Sequence, residues 1–397
     1  MSRPVVRAIS IGERRARLAV RHRLAPSART DEDTAAVARS VVALHATDPL
    51  TVVLSSIVRM RTPDLLAVEH ALFVDRSVLR MLAMRRTLFT VAVEDVPMVQ
   101  AGASDAVAGT ERARLVTMLE DAGVTTDGRA WLAGVERKAL AAIDHLEEAT
   151  AADLAKAVPQ LGTRITIAAG KSYEATVSLA SRILVVLGAE GHLVRGRPKG
   201  RWTGSHHRWT PTASWLGQAP APMAVDDART ALARRWLERF GPGTVNDLKW
   251  WAGWNLGATR AALANLETEE VDLDGATALV LAGDVEPPHD PEPWVALLPS
   301  LDPTIMGWFE RDWYVGGHRQ QVFDRNGNAG PTIWADGRVV GAWSQRKDGE
   351  VVTRLLEDIG AERTAMVDLE AGRLPEALGD IVVAPRFHSP LSRELAR

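Results

Sequence analysis

Cysteine is absent from the 397 residues, tyrosine occurs only twice, and no apolar run is long enough to cross a membrane. The absence of cysteine excludes disulfide bonds, thiolate metal sites and a cysteine nucleophile. A membrane-spanning helix needs about 20 apolar residues, so no membrane partner is expected. The first residues also lack the apolar core and small-residue cleavage site of a secretory signal. Together these absences predict a cytoplasmic protein.

A strong charge of one sign is also missing. The net charge is −3, so any surface that binds a polyanion has to be local. Hydrophobic residues make up 46% of the chain, enough for a sizeable core, and the length allows about two to four domains. Most of the thirteen tryptophans follow residue 200. Five of them form either a buried core or a surface for a small molecule or a protein: Trp294, Trp308, Trp313, Trp334 and Trp343.

The segment Leu44-His45-Ala46-Thr47-Asp48-Pro49 separates two runs with helical spacing of apolar residues, 34–44 and 50–60. The pattern predicts a corner between two helices, with Asp48 as the N-cap and Pro49 as the first helical residue. His45 then lies at a helix C-terminus, where a cation is favourable, or it has a catalytic or ligand-contacting role. Thr47 is the other polar residue of the corner.

Helices followed by a β-hairpin recur three times, which favours an α+β fold. We predict tandem winged helix-turn-helix units and a C-terminal β-rich domain, with the domains at 1–100, 101–220, 221–284 and 285–397. Asp64, Thr150 and Thr244 are expected helix N-caps, and Asp336-Gly337 is a hairpin signal. The predicted helices are 12–25, 65–72, 111–122, 129–144, 173–188, 226–240, 245–253, 258–266 and 361–378. The predicted strands lie within 78–93, 191–211, 268–274, 276–281, 295–302, 320–324 and 331–344.

The strongest concentration of positive charge falls on the predicted hairpin at 191–211. Its glycines and aromatic residues suit contact with a phosphate backbone, although a solvated hairpin has the same pattern. The candidate DNA-binding residues here are Arg195, Arg197, Lys199, Arg201, His206, His207 and Arg208. Adjacent residues of a strand face opposite ways and no carboxylate is near, so the His206-His207 pair is not expected to bind a metal. Arg85 and Arg86 are a second, smaller candidate. On a strand they point different ways, so one can face a groove while the other covers the surface, although such pairs are often only solvated.

Four stretches together resemble the winged-helix DNA glycosylase family (AlkZ/YcaQ-like crosslink glycosylases). They follow the order of that family and span most of the chain: LHATDP at 44–49, MRRTLFTVAVEDVP at 84–97, the region from Arg234 to Gly253, and LLPSLDPTIMGWFERD at 297–312 with PTIWADGRVVGAW at 331–343. The family typically has Gln-x-Gln or Gln-x-Asp before Asp-Pro, and the matching positions here are His45 and Thr47. Its Arg-Gly-Thr-Leu-His pattern is Arg85-Arg86-Thr87-Leu88-Phe89 in this chain.

The resemblance implies three tandem winged helices and a C-terminal β-rich, barrel-like domain. It also implies a monomeric, cytoplasmic, nucleoid-associated enzyme that binds damaged duplex DNA without a metal or organic cofactor. The implied reaction is hydrolysis of the N-glycosidic bond of alkylated, bulky or cationic purines, with His45, Thr47 and Asp48 as catalytic candidates. His45 can accept a proton from water, Thr47 can hold that water, and Asp48 can supply negative charge. The absence of lysine in this segment argues against Schiff-base lyase chemistry. The alternative is a non-catalytic winged-helix protein that binds DNA or lesions.

Overall fold

The computed structural model describes residues 5–167, 174–200, 204, 206–379 and 381–397. The helices are α1 Ile11–Arg21, α2 Thr34–Ser40, α3 Pro49–Ile57, α4 Leu65–Phe73, α5 Val96–Val99, α6 Asp105–Asp121, α7 Gly128–Leu146, α8 Ala151–Ala157, α9 Leu179–Ala189, α10 Thr212–Leu216, α11 Val225–Phe240, α12 Val245–Ala252, α13 Leu256–Ala264, α14 Asp312–Val315, α15 Arg319–Val322, α16 Gly360–Leu378 and α17 Pro390–Leu395. The strands are β1 Val5–Ala8, β2 Leu44–His45, β3 Val78–Leu82, β4 Leu88–Ala92, β5 Ala149–Thr150, β6 Arg164–Ile167, β7 Ala175–Ser178, β8 Leu193–Pro198, β9 His207–Pro211, β10 Thr268–Leu273, β11 Ala276–Leu281, β12 Val295–Leu298, β13 Thr332–Ala335, β14 Arg338–Gln345 and β15 Val351–Leu355.

The chain folds as two compact units that each combine helices with antiparallel hairpins. The first unit contains Met1–Val78, Phe89–Val93 and Arg229–Arg397, and the second contains Leu79–Leu88 and Glu94–Ala228. The division into four domains stays a prediction. Among the residues that the structure describes, no helix has the length and apolar character needed to cross a membrane.

In the first unit, the hairpin β10–β11 gains a third strand from the N-terminus, because β1 pairs with β10 in parallel. A second sheet has the strand order β12-β13-β14-β15, and all its pairs are antiparallel. Asp336 and Gly337 connect β13 to β14, both with positive φ, as an Asp-Gly hairpin turn requires. The tryptophan group of this region is buried, so its interpretation as core is confirmed.

The second unit is built around one continuous apolar core. Leu115 and Leu119 of α6, Leu132 of α7 and Ile183 of α9 are among its fully or nearly fully buried members, and Trp209 of β9 packs against them. The strands form a three-stranded sheet in the order β5-β9-β8 and a separate hairpin of β6 and β7. The predicted hairpin at 191–211 is therefore confirmed as β8 and β9.

Local signals predicted the helix starts well and the segments between helices less well. Asp64, Thr150 and Thr244 all cap helices through their side chains, as predicted. The predicted strand at 320–324 is wrong, because Arg319–Val322 is a short helix. The predicted helix at 173–188 begins at Leu179, since Ala175–Ser178 pairs with Arg164–Ile167 as a strand.

A buried ion pair fixes α3 inside the first unit. Arg59, just beyond the end of α3, donates from Nη1 and Nη2 to the Asp302 carboxylate at 2.9 and 2.8 Å, and both side chains are 0% exposed. Ser55 Oγ donates to Asp302 Oδ2 at 2.6 Å and the Thr304 amide to Oδ1 at 2.9 Å. Burial alone would raise the pKa of Asp302, but the Arg59 charge and these hydrogen bonds hold it below its ordinary value.

His22 extends this buried network as a neutral imidazole. Its Nε2–H donates to the Arg239 carbonyl at 3.1 Å. Thr304 Oγ1 accepts from Arg59 Nη2 at 2.8 Å, so the hydroxyl hydrogen is available to His22 Nδ1 at 2.9 Å. Burial lowers the pKa of His22 to about 3, and the nearby Arg59 charge acts in the same direction.

Removing one partner of the buried ion pair should destabilise the first unit strongly. We expect Arg59→Met to lower the free energy of unfolding by about 3–5 kcal/mol, because Asp302 would remain buried without its counter-ion. Urea denaturation followed by tryptophan fluorescence measures this loss. The exposed pair Arg354–Glu394 is the matched control, and Arg354→Met should cost about 0–1 kcal/mol. Equal losses in the two variants would contradict the assignment.

Acid should destabilise the first unit through protonation of His22 in the unfolded state. Above the unfolded pKa of about 6.5 both states are neutral at His22, so its full contribution is present. Below that pH only the unfolded state binds the proton, so stability falls until the pH reaches the folded pKa of about 3. From pH 7 to pH 5 the loss is about 2 kcal/mol. Urea titrations at the two pH values measure the free energy of unfolding, which should fall by about 2 kcal/mol less in His22→Gln than in the wild-type protein. An equal fall in the two proteins would exclude His22 as the cause.

Candidate functional site

The corner at 44–49 contains a short strand that the sequence pattern did not predict. Leu44 pairs with Thr90 and His45 with Phe89 of β4, in antiparallel register. Helix α2 ends at Ser40, and Val42, at φ +64, turns the chain out of the helical direction. The expectation that His45 lies at a helix C-terminus is therefore wrong, because a neighbouring strand supplies its backbone partner.

Asp48 has two roles at the start of α3. Its Oδ1 accepts the amide hydrogen of Leu50 at 3.1 Å, so the predicted N-cap is confirmed, with Pro49 as the first helical residue. Its Oδ2 accepts the amide hydrogen of Arg386 at 2.8 Å, 338 residues along the chain. The carboxylate is 2% exposed, and no arginine or lysine in the described part of the chain forms an ion pair with it. It is thus a fixed, buried acceptor of two N–H groups.

His45 and Thr47 lie on either side of a fully buried alanine. His45 is 4% exposed, and its ring lies 5.2 Å from that of Phe89, tilted by 59°. Thr47 is half-buried, and its Oγ1 is enclosed with no hydrogen-bond partner among the described residues. The Thr47 hydroxyl can therefore still donate and accept, as the binding of one water or one polar substrate atom would require.

A second histidine near Asp48 was missed by the sequence reasoning. His388 is half-buried just before α17, and burial, followed by the Arg393 charge, lowers its pKa, while the Asp48 charge raises it. Its Nδ1 is enclosed with no hydrogen-bond partner among the described residues. No local spacing could have identified His388 or the Arg386 amide, because only the tertiary fold brings the segment 381–389 to residue 48.

Arg85 and Arg86 lie in a tight turn between β3 and β4 and not on a strand, which corrects the expectation that they face opposite ways along one. Both have positive φ, 51° and 60°, a region that costs non-glycine residues of order 1–3 kcal/mol. Arg86 forms an ion pair with Glu111 of α6. The surrounding structure therefore holds this turn against its own backbone preference.

The basic hairpin of β8 and β9 is only partly available to a ligand. Arg195 lies 5.1 Å from the centre of the Trp209 ring, and burial lowers its pKa. Arg208 forms an ion pair with Glu148, a partner that the local sequence did not indicate. Arg197 and Lys199 are exposed near the tip, and Arg201 lies outside the described residues. Exposed positive charge is thus concentrated at the tip of this hairpin.

The two histidines of this hairpin differ in their surroundings. His206 is exposed and precedes β9, whereas His207 is half-buried and begins that strand. The Arg80 guanidinium of β3 lies 3.0 and 2.9 Å from the two ring nitrogens of His207. Within the described ranges, no group of three or more histidine, aspartate or glutamate side chains is arranged to hold a metal ion.

Three comparisons with known proteins show what this chain is similar to. A family model described as DNA glycosylase AlkZ-like matches residues 38–377. The interstrand DNA cross-link repair glycosylase of Streptomyces sahachiroi is 29% identical over 176 residues, which are 42% of this chain and 46% of that protein. The solved structure of Streptomyces sahachiroi DNA glycosylase AlkZ has the same fold, with a TM-score of 0.72 over 93% of this chain and 97% of that chain, at 21% identity.

The family model covers most of the chain, including the corner at 44–49 and both hairpins that carry candidate DNA-binding residues. The chain therefore belongs to the DNA glycosylase AlkZ-like family.

Proposed function

We propose that this protein is a monofunctional DNA repair glycosylase that hydrolyses the N-glycosidic bond of alkylated, bulky or cationic purines in damaged duplex DNA. The observation that carries the proposal is the buried corner His45-Ala46-Thr47-Asp48, in a chain that belongs to a glycosylase family. The relative from Streptomyces sahachiroi is named for interstrand cross-link repair, which supports a bulky lesion as the substrate. We propose that the protein acts as a monomer and without a metal or organic cofactor.

The proposed reaction needs little acid catalysis, because alkylation makes the purine a good leaving group. The C1′–N bond breaks with its electron pair moving to the base, and the sugar gains oxocarbenium character. A water oxygen attacks C1′ and transfers a proton to the neutral His45 imidazole. Thr47 Oγ1 can orient that water, because its hydrogen-bonding capacity is otherwise unused.

Asp48 supplies charge and not proton transfer in this mechanism. Both carboxylate oxygens already accept an amide hydrogen, from Leu50 and Arg386, so the carboxylate is held in place and we assign it an electrostatic role. The lowered pKa of His388 keeps that imidazole neutral near pH 7, so it does not cancel the negative charge of Asp48. A fixed carboxylate in a site with little water stabilises a developing sugar cation.

A non-catalytic lesion-binding protein is the second candidate, and one specific observation favours it. Before Asp-Pro, the family typically has glutamine at the position of His45. At the position of Thr47 it typically has glutamine or aspartate. Loss of those groups is compatible with binding that no longer leads to hydrolysis. Tight, salt-sensitive binding of alkylated duplexes without alkali-labile abasic sites would support this alternative.

The His45 imidazole is expected to be required for base release. Purified protein should release modified base from N3- and N7-alkylated duplexes, and His45→Ala should reduce the rate by about 10²–10⁴. Circular dichroism verifies folding, and His145→Ala, at an exposed position of α7, is the matched control. If His45 accepts the proton, the rate of base release by the wild-type protein should fall at acid pH. His45→Gln should retain partial release without this fall, because the glutamine amide does not titrate. A rate of base release by His45→Ala equal to that of the wild-type protein would contradict the catalytic assignment.

Asp48→Asn should separate the charge of the side chain from its shape. We expect base release to fall about tenfold or more. The free energy of unfolding should fall by about 1–3 kcal/mol, because the asparagine NH2 group cannot accept the amide hydrogen that the second carboxylate oxygen accepts. Single-turnover rates and urea titrations measure the two effects. Asp64→Asn, at the exposed N-cap of α4, controls for capping alone. A release rate unchanged from that of the wild-type protein would exclude an electrostatic role for Asp48.

A further inference from the structure

A pocket in the second unit combines apolar walls with a rim of arginines. The pocket has a volume of 210 Å³, and Leu82 of β3, Leu115 of α6 and Val186 of α9 contribute to its walls. Arg86, Arg114 and Arg182 line it together with a single acidic residue, Glu111. Three guanidinium groups therefore share one carboxylate, which leaves a local excess of positive charge in a protein whose net charge is −3.

Two of the arginines form a fork around Glu111. Arg86 binds both carboxylate oxygens, with Nε 2.6 Å from Oε1 and Nη2 2.8 Å from Oε2. Arg114 Nη1 donates to Oε1 at 2.9 Å. The same planar fork is the geometry with which arginine binds phosphate. The Glu111 carboxylate therefore lies where an anionic oxygen group of a ligand would be bound.

The third arginine, Arg182, lines the same pocket from α9 and has no carboxylate partner among the described residues. The Arg86 and Arg114 side chains are 50% and 55% exposed, whereas that of Glu111 is 10% exposed. The cations thus face solvent while the anion beneath them is enclosed, so a second anion can approach the arginines from outside.

The backbone of the rim is also held in an unfavourable conformation. Arg85 and Arg86 both have positive φ, which local sequence preference does not explain, because arginine has no special tolerance of this region. The turn places Arg86 over the α6 carboxylate. Strain of this kind persists where the surrounding structure fixes it and is common at ligand-binding sites.

We propose that this pocket binds a backbone phosphodiester of duplex DNA, and that Glu111 is an internal surrogate that the phosphate displaces from the Arg86–Arg114 fork. The inference rests on the proposed function for its choice of DNA as the ligand. Arg182 supplies the additional charge that favours the phosphate over the resident carboxylate. Glu111 keeps the fork ordered when no DNA is bound and weakens binding by competing for it.

The test measures binding of a labelled, undamaged duplex by fluorescence anisotropy between about 50 and 200 mM NaCl. Arg182→Ala should reduce the slope of log Kd against log salt by about 0.9, the loss of one phosphate contact, whereas Arg182→Lys should preserve it. Arg137→Ala, at an exposed position of α7, is the matched control and should leave the slope unchanged. Equal slopes for Arg182→Ala and the wild-type protein would overturn the proposal.

Removing the internal competitor should strengthen binding. Glu111→Gln, which is nearly isosteric, is expected to tighten duplex binding about two- to fivefold, the scale of one exposed ion pair. Asp121→Asn removes the same charge from an exposed position of the same helix, so it controls for net charge. Unchanged or weaker binding by Glu111→Gln, or an equal gain in both variants, would overturn the surrogate role.

Two further measurements separate the outcomes. Titration with inorganic phosphate alone tests whether the pocket binds a free phosphate anion. If phosphate saturates the pocket but Arg182→Ala has no effect on duplex binding, DNA is not the ligand and the proposal is overturned. Base release by the same wild-type preparation tests the proposed function. If the wild-type protein releases base but Arg182→Ala has the wild-type salt slope, only the phosphate-binding role of the pocket is overturned. If Arg182→Ala lowers the slope but the wild-type protein releases no base, only the glycosylase activity is overturned.

Discussion

The buried pair of Arg59 and Asp302 is the constraint on which the first unit depends. Both side chains are 0% exposed, and two buried charges are tolerated only when they are paired and hydrogen-bonded. Ser55, Thr304 and His22 extend the pair into one network. This network fixes the C-terminal end of α3. Because the same helix begins at Asp48, the network also fixes the orientation of the helix start that carries the candidate catalytic corner.

The N-terminal end of α3 is fixed by a different kind of interaction. Asp48 accepts amide hydrogens from its own helix and from Arg386, so segments at opposite ends of the chain meet at one carboxylate. Two amide hydrogen bonds hold this carboxylate in place, and among the described residues no arginine or lysine forms an ion pair with it. The corner thereby combines a buried imidazole, a carboxylate held by two amides, and a hydroxyl with no hydrogen-bond partner among the described residues. These are the groups to which the proposed hydrolysis assigns roles.

Arginine–carboxylate ion pairs occur in both units but differ in how far they are exposed to solvent. Arg59 and Asp302 are enclosed on all sides, so exchange of the carboxylate for another anion would leave a charge buried without a partner. Arg86 and Arg114 hold Glu111 from an exposed rim, where solvent lowers the energetic loss of changing partners. The same pairing is therefore structural where it is buried and exchangeable where it is exposed.

The sequence by itself determined the features that depend on neighbouring residues. The N-caps at Asp48, Asp64, Thr150 and Thr244 and the Asp336-Gly337 turn follow from hydrogen bonds and φ preferences within a few residues. Only the tertiary structure decided that His45 lies on a strand, that β1 joins β10, and that Arg386 and His388 lie at Asp48. These contacts join residues far apart in the chain, and local spacing carries no information about which distant backbone group will satisfy a buried donor or acceptor.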